Sequence, residues 1–197
     1  MNTTSATPSA SPVPPVESWW SRAFLALWPA GAIVFVDQLS KIAIQKSMEP
    51  GASVHVLGTV VMFTHQLNPA GAMSIRLGPP SFYLVVTAAV VIFLAWSLVQ
   101  KSLPTATRWA LLLVLGGAVG NMIDRIRIGA VIDFIDVEFI DFSMPAVDLG
   151  PIHVPGEVMT RWPVFNVADA CVTSGIVLLI LATFLFDRHY AAHGDSD

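Results

Sequence analysis

The feature that most constrains the fold is an apolar helical pattern that runs without a break into polar residues. It begins at Trp109, and Asn121, Asp124 and Arg125 all follow before any turn signal. The apolar part alone gives a helix of about 22 Å, shorter than the roughly 30 Å hydrocarbon core of a bilayer. A spanning helix must continue to about residue 128 and carry these side chains against the membrane. Each costs about 2.5–3.5 kcal/mol there unless it is paired, so the sequence predicts a polar site at one membrane edge.

The polar residues of this helix are expected to share one face. Asn121, Asp124 and Arg125 stand at positions i, i+3 and i+4, which are neighbours on a helix surface and can satisfy one another. Earlier in the same helix, Gly116 and Gly120 form a small-xxx-small pattern. That pattern favours close packing against another membrane helix.

Composition excludes several classes of protein. Of the 197 residues, 54% are hydrophobic and 12% are charged, which indicates a multi-spanning membrane protein rather than a soluble domain. The net charge of −4 argues against nucleic-acid binding, which needs a basic face. The single cysteine, Cys171, rules out an internal disulfide and any paired-cysteine metal site. Its apolar surroundings predict core packing.

Four segments are apolar and long enough to span a bilayer, and residues 19–188 are expected to form one domain. The predicted spans are 23–44, 82–99, 109–128 and 164–186. The predicted external segments are 45–81 and 129–163, and the predicted tails are 1–18, expected to be disordered, and 189–197. A cleaved signal peptide is the rival interpretation of the first span, but the preceding segment is long and nearly uncharged, which favours a retained helix. Residues 53–66 predict a short hairpin outside the hydrocarbon, followed by a turn at 68–72.

Alternation of the four spans brings the polar residues to one side of the membrane. They lie at the end of span one, at the end of span three, at the start of span four and in the loops on that side. These residues are Asp37, Lys41, Asn68, Asn121, Asp124, Arg125, Asp133, Asn166 and Asp169. This side also carries more Lys and Arg than the other, which by the positive-inside rule would place it in the cytoplasm. Several of these cations, however, look like site residues paired with acids.

Asp133 and Asp169 are the candidate catalytic pair. Two neighbouring carboxylates in a poorly solvated pocket cannot both ionise easily, so they share a proton and can activate a water molecule. The competing interpretation is that both are solvated loop acids, although a carboxylate inside a span, as Asp169 is, is functional by default.

The other polar residues have simpler interpretations beside the functional one. Asp124–Arg125 and Asp37–Lys41 are typical of structural ion pairs, the second as an i, i+4 pair at the interface. The candidate asparagines could bind substrate or bond between helices. Three histidines lack metal-ligand spacing and are expected at the surface. They are His55, His65 and His153.

Five motifs, in this order along the chain, resemble the lipoprotein signal peptidase (type II signal peptidase) family. They are Asp37-Gln38-x-x-Lys41, Asn68-x-x-Gly71-Ala72, Gly116-Gly-Ala-x-Gly-Asn-x-Ile-Asp-Arg125, Val131-Ile-Asp-Phe-Ile135 and Phe165-Asn-x-Ala-Asp169. The third and fifth together are highly specific, and the motifs cover all of the chain except its two tails.

The resemblance implies an all-α integral membrane protein with four transmembrane helices, a small extracytoplasmic β-cradle and an extended external loop. Such a protein lies in the bacterial cytoplasmic (inner) membrane with both termini cytoplasmic and its active site near the outer leaflet. The implied activity is that of an aspartic endopeptidase, which removes the signal peptide from diacylglyceryl-modified prolipoproteins and cleaves before the lipidated cysteine. No cofactor or metal is implied. The implied partners are the prolipoprotein, membrane lipids and cyclic peptide inhibitors of the globomycin type.

The family's residues carry over by position. The implied catalytic dyad is Asp133 and Asp169. The implied substrate-binding or supporting residues are Asn68, Gly71, Asn121, Asp124, Arg125, Asn166, Asp37 and Lys41. The sequence departs from the family in the spacing of the Asn68 motif. The dyad acids are also farther apart than usual, and the extra residues fall at 139–161, which suggests an enlarged external loop that shapes substrate entry.

Two other functions stay open from the residues alone. One is a lipid-headgroup transferase that uses Asp133, Asp136 and Asp169 as oxygen ligands to Mg²⁺. The other is a proton-coupled transporter with Asp169 and Asp124 as relay groups, although the one-sided clustering of charges argues against it. A purely structural subunit would not explain so many buried charges.

Overall fold

The computed structural model describes residues 19–69, 79–100, 102–144, 147–149, 152–154 and 157–193, which form four helices and six strands. The helices are α1 (Trp19–Ser47), α2 (Pro80–Gln100), α3 (Thr105–Ile128) and α4 (Val167–His193). The strands are β1 (Ser53–Leu57), β2 (Val61–Asn68), β3 (Val131–Met144), β4 (Val147–Leu149), β5 (Ile152–Val154) and β6 (Glu157–Arg161). The predicted tail 1–18 and the candidate residue Gly71 lie outside the described residues.

All four helices are long and apolar enough to cross a membrane. Their outward faces carry large apolar side chains that are more than half exposed, among them Phe24, Phe35, Phe93 and Phe184. Such a surface is unfavourable in water, whereas lipid chains are as apolar as the side chains themselves. The predicted fold, a helical membrane protein of four spans with a small sheet, is confirmed.

Helix α3 is the centre of the bundle, because each of the other three helices packs more extensively against it than against any other helix. Its glycines allow this. A Cβ at Gly116 would lie 2.8 Å from Cβ of Ile33 on α1, and a Cβ at Gly117 would overlap the backbone oxygen of Ala168 on α4. Leucines from α2 and α3 pack with Ala30 of α1 to form the apolar core of this half of the bundle. The close packing predicted from the glycine pattern is present.

A four-stranded antiparallel sheet, in the order β1-β2-β3-β6, lies against one end of the bundle. The β1–β2 hairpin is the one that the sequence predicts. Ile132 and Phe134 of β3 are buried against Ile44 near the end of α1, which fixes the sheet to the helices. The turn predicted at 68–72 does not begin at Asn68, because Asn68 is the last residue of β2 and pairs with Val131.

The long third strand is the main feature that the sequence analysis did not predict. β3 runs for 14 residues from Val131, and its far part pairs with β6. The segment 139–161, expected to be an enlarged loop, is therefore partly an extension of the sheet, with β4 and β5 forming a separate antiparallel pair within it.

Helix α4 begins at Val167 rather than at residue 164, because hydrogen bonds to the sheet hold the chain extended before it. The backbone N–H of Phe165 donates to the oxygen of Ile135 at 3.0 Å, and the N–H of Ile135 donates back at 2.7 Å. This bridge holds Phe165 in an extended conformation beside β3, so the helix begins only after it.

Candidate active site

A tight turn carries the chain from α3 into β3 and sets the position of Asp133. Gly129 follows α3 in the left-handed conformation, with φ 72°, and its N–H donates to the oxygen of Arg125. Glycine is common at this position because it has no Cβ to oppose a positive φ. The strand begins two residues later, so Asp133 lies close to the polar end of α3.

The start of α4 is closed by a reciprocal cap that fixes Asp169. The N–H of Asp169 donates to Oδ1 of Asn166 at 2.9 Å, and the N–H of Asn166 donates to Oδ2 of Asp169 at 3.3 Å. This is the geometry of a capping box, in which two groups at a helix start satisfy each other. It holds the Asp169 carboxylate over the first turn of α4, facing back towards β3.

Three asparagines, one from β2, one from α3 and one preceding α4, bind the two carboxylates. Asp133 accepts hydrogen bonds from Nδ2 of Asn68 at 3.0 Å and from Nδ2 of Asn166 at 2.7 Å. Asp169 accepts one from Nδ2 of Asn121 at 2.8 Å. Both carboxylates are therefore bound by Asn166, Asp133 by its side-chain amide and Asp169 by its backbone N–H. The structure thus brings together the dyad and the three asparagines that the sequence proposed.

Burial changes the acidity of Asp133. Its side chain is 2% exposed, and this burial, together with the nearby Asp169 charge, raises the pKa of Asp133 to about 7. Hydrogen bonds from Asn68 and Asn166 oppose the shift only in part. A carboxyl group in this environment keeps its proton at pH values where an exposed one has lost it, so the site can hold one proton between two acids.

A fully buried ion cluster of Lys41, Asp37 and Asp124 supports the site. Nζ of Lys41 lies 2.9 Å from Asp37 and 2.8 Å from Asp124, and none of the three side chains is exposed. The predicted Asp37–Lys41 pair is therefore present, and it is fully enclosed within the protein. The prediction that Asp124 pairs with Arg125 is wrong: Asp124 is bound by Lys41 of α1, because a neighbouring helix offers an ammonium that can be enclosed completely.

Arg125 lies at the rim of the site, half-buried. Its guanidinium is 5.9 Å from the ring centre of Tyr83 on α2, and Nη1 donates to the backbone oxygen of Asn121 at 3.4 Å. Its charge also acts on Asp133 and Asp169. Asn121, Asp124 and Arg125, expected to be able to satisfy one another, do so only in part, since the Asn121 and Asp124 side chains bond to other elements.

Three partners of the cluster were missed by the sequence analysis. Nε2 of Gln38 contacts the Asp124 carboxylate at 3.1 Å, the N–H of Ala168 donates to Asp37 at 2.9 Å, and the N–H of Ile132 donates to Asp124 at 3.3 Å. Gln38 belongs to the first quoted motif and could have been found there. The two backbone groups carry no sequence signal.

His65 is buried, which corrects its expected place at the surface. It is 2% exposed, and its Nδ1 lies 2.9 Å from the backbone oxygen of Met48. Its position in β2, two residues after the half-buried Phe63, places both on the inner face of the strand. That alternation was the signal that could have predicted it.

The three acids proposed for a magnesium site do not all lie together. Asp136 is bound by Arg161 Nε at 2.5 Å and by Thr64 Oγ1 at 2.8 Å, so its carboxylate is committed elsewhere on the sheet. Among the described residues, no three His, Cys, Asp or Glu side chains are grouped so as to hold a metal ion. This geometry gives the metal-dependent alternative no support.

A cleft of about 260 Å³ lies beside the last residue of β2. Asn68, which binds Asp133, is part of its wall, and the exposed Trp162 forms another part.

Comparisons with known proteins agree with this geometry. A family model described as Signal peptidase (SPase) II matches residues 29–185. A lipoprotein signal peptidase of Brevibacillus brevis is 37% identical over 79% of this chain and 92% of its own length. One of Moorella thermoacetica is 32% identical over 75% of this chain and 84% of its own length.

Solved structures show the same architecture. One, described as a bacterial membrane enzyme, superposes with a TM-score of 0.68 at 25% identity and covers 88% of this chain and 93% of that one. A second with the same description has a TM-score of 0.64 at 28% identity and covers 81% of this chain and 92% of that one.

Proposed function

This chain belongs to the signal peptidase II family, and on that premise we propose that it is an aspartic endopeptidase acting on diacylglyceryl-modified prolipoproteins. It removes the signal peptide by cutting immediately before the lipidated cysteine. The observation that carries the proposal is the pair Asp133 and Asp169, both of whose carboxylates are bound by Asn166 at the polar end of four helices able to span a membrane.

In the proposed mechanism the two acids have different tasks. Asp169 acts as the base: it takes a proton from a water molecule while the water oxygen attacks the scissile carbonyl carbon. Asp133 acts as the acid and gives its proton to the carbonyl oxygen, so a neutral tetrahedral diol forms. The raised pKa of Asp133, about 7, supports its role as the acid. The position of Asp169 in the first turn of α4, where the helix dipole favours negative charge, supports its role as the base.

Collapse of the diol completes the reaction. The C–N bond breaks, the leaving nitrogen takes the proton held by Asp169, and Asp133 regains a proton from the hydroxyl group that becomes the new carboxyl. The supporting residues keep this geometry: Asn68 and Asn166 orient Asp133, and Asn121 orients Asp169. The charge of Arg125 is close enough to stabilise negative charge that develops on either side of the dyad.

We propose that substrate enters sideways from the bilayer. The acyl chains stay in lipid, the signal helix lies among the spans, and the mature chain leaves through the cleft beside Asn68 and Trp162. This requires the site to lie near the outer leaflet of the bacterial inner membrane, with both termini in the cytoplasm. Cyclic peptides of the globomycin type would occupy the same pocket. Gly71, outside the described residues, is retained as a supporting residue.

The segment 139–161 is proposed to shape substrate entry. Its outer strands, the far part of β3 and β6, extend the sheet beyond the dyad. Removing residues 145–156 and rejoining the strands by a short turn should change the relative turnover of two prolipoproteins that differ after the cysteine. Unchanged turnover and selectivity would contradict this role.

The substrate assignment is tested by mapping the products. Purified protein in detergent micelles is given a prolipoprotein with and without the diacylglyceryl group, and the products are identified by mass spectrometry. We expect a mature chain that begins at the lipidated cysteine and little cleavage of the unmodified control. Equal cleavage of both substrates, or cleavage elsewhere, would contradict the proposed specificity.

A further inference from the structure

The side-chain amide of Asn121 is held in one orientation by its neighbours. Its Oδ1 accepts hydrogen bonds from Lys41 Nζ at 2.9 Å and from Asn166 Nδ2 at 3.2 Å. Its Nδ2 donates to Asp169 at 2.8 Å. A lysine ammonium has only donors, so the amide atom facing Lys41 must be the oxygen. The NH₂ group is thereby directed at Asp169.

The opposite orientation of this amide would change the dyad. A flip of the Asn121 amide would place its NH₂ group against both the Lys41 ammonium and Nδ2 of Asn166. It would place the carbonyl oxygen against Asp169. Two oxygens at hydrogen-bond distance need a proton between them, so a flipped amide favours the protonated form of Asp169. An amide N–H directed at the carboxylate favours its ionised form. The orientation of Asn121 therefore bears on which acid serves as the base.

Lys41 is built to hold this orientation. It is fully buried, and its three donor positions are taken by Asp37, Asp124 and Asn121. Within the part of the chain that the structure describes, the hydrogen bonds and ion pairs of Lys41 do not involve Asp133 or Asp169. The charged and titratable groups of the packed elements that face this cluster are Asp37 of α1, Asp124 and Arg125 of α3, Tyr83 of α2, Asp133 of β3 and Asp169 of α4.

We propose that Lys41 is a positioning residue for peptide hydrolysis: its ammonium fixes the Asn121 amide so that the N–H of this amide is directed at the carboxylate of Asp169, the proposed base. The inference rests on the proposed function and specifies how one half of its dyad is prepared. The Lys41 charge also acts directly on Asp133, whose pKa it lowers; the proposed role is separate from this effect, because it acts on Asp169 through the orientation of the Asn121 amide.

The central test removes the Lys41 donor without changing net charge. Lys41→Met combined with Asp124→Asn deletes one positive and one negative charge together. We expect kcat to fall about 100-fold, the range typical of losing a prepared general base. KM should change less than about threefold, because Lys41 is fully buried, and the acidic limb of the pH–rate profile should move to higher pH. An unchanged acidic limb in this folded variant would overturn the proposal.

A double-mutant cycle asks whether Lys41 acts through Asn121. Asn121→Ala alone should lower kcat and move the acidic limb upward, as the Lys41→Met/Asp124→Asn variant does. When Asn121→Ala is added to that variant, we expect little further loss, since residues that act as a unit are non-additive. Independent, additive losses would show that Lys41 does not work through the amide.

Two further variants keep the test decisive if the double variant does not fold. Lys41→Arg retains N–H donors and should keep the acidic limb near its wild-type position. Asp124→Asn retains the Lys41–Asn121 contact, so its loss of kcat should be at least tenfold smaller than that of the Lys41→Met/Asp124→Asn variant. If the latter variant does not fold, the loss is compared with that of Asn121→Ala instead. If Asn121→Ala leaves the acidic limb in place, the proposal is wrong whatever the Lys41 variants do.

Failure of this inference and failure of the proposed function give different results. If Asp169→Asn still cleaves prolipoprotein, the dyad assignment fails and the positioning role fails with it. If wild type cleaves, Asp169→Asn does not, and the Lys41 and Asn121 variants keep the wild-type pH profile, only the positioning role is lost.

Discussion

Asn166 is the residue in which fold and chemistry are most closely joined. It caps α4 through Oδ1 and binds Asp133 through Nδ2, and the same Nδ2 contacts the oxygens of Asn121 and Ile132. An asparagine can do this because its amide offers both an acceptor and a donor. A serine could supply the cap but not the reach to Asp133.

Two substitutions at this position separate the two functions. Asn166→Ser should keep the cap and lose the donor to Asp133, so kcat/KM falls on the order of 10²-fold while the melting temperature falls less than that of Asn166→Ala. Asn166→Ala should lose both and unfold more easily, by about 1–3 kcal/mol. Thermal unfolding in detergent and cleavage kinetics check the two effects. Equal stability of the two variants would contradict the cap.

The pH dependence of activity follows from the proton on Asp133. Its pKa is raised to about 7, so the folded protein holds a proton that an ordinary carboxyl loses near pH 4. Activity that needs this proton should persist up to about pH 7 and fall about tenfold per pH unit above it. Measurement of kcat/KM from pH 5 to 9, with folding checked at each pH, tests this expectation. A profile that stays flat to pH 9 would rule out Asp133 as the proton donor.

At the scale of elements, α3 determines how closely the bundle packs. Gly117 faces the backbone of Ala168 on α4 without space for a methyl group, and Gly120 faces the Asp37 carboxylate. These close approaches bring the polar ends of α1, α3 and α4 within hydrogen-bond distance. The glycines of α3 therefore position the proposed catalytic side chains as well as the helices.

A matched pair of glycine substitutions tests this packing. Gly117→Ala should destabilise the protein by about 1–3 kcal/mol, because the new methyl group forces α3 and α4 apart. Gly31→Ala on the exposed face of α1, where a Cβ would meet nothing within 4 Å, should be neutral or stabilise by up to about 1 kcal/mol. Thermal melts in the same detergent compare them. A Gly117→Ala protein as stable as Gly31→Ala would contradict the close α3–α4 contact.

The elements also show why part of the structure could be predicted and part could not. The four spans follow from long apolar runs that only a membrane explains, and the meeting of Asp133 with Asp169 follows from their alternation. β3 was missed because its acidic residues interrupt the two-residue period and are rare in strands. The partners of Asp124 were missed because the choice between Arg125 and Lys41 depends on how two distant helices pack.

At the scale of the whole molecule, the polar groups meet at one end of the bundle. The sheet lies at the same end, fixed by Ile132 and Phe134 against α1. A one-sided site suits a reaction in which one substrate portion stays in lipid and another leaves into water. It does not suit transport, which needs polar groups through both leaflets.

The orientation of the molecule can be tested with single cysteines. In a Cys171→Ala background, Thr59→Cys in the β1–β2 turn should react with a membrane-impermeant maleimide added to spheroplasts. Ser102→Cys, in the exposed link between α2 and α3, should react only after the membrane is permeabilised. The reverse pattern would place the site in the cytoplasm, the side that the simple count of Lys and Arg favours.

The central claim, that Asp133 and Asp169 form a catalytic dyad, is tested most directly by one cleavage assay. Wild type, Asp133→Asn and Asp169→Asn are compared in detergent micelles on a diacylglyceryl-modified prolipoprotein, with and without a metal chelator. We predict chelator-resistant cleavage by wild type and a loss of at least about 10³-fold in both folded variants. Cleavage that survives either substitution, or that chelation abolishes in wild type, would contradict the dyad.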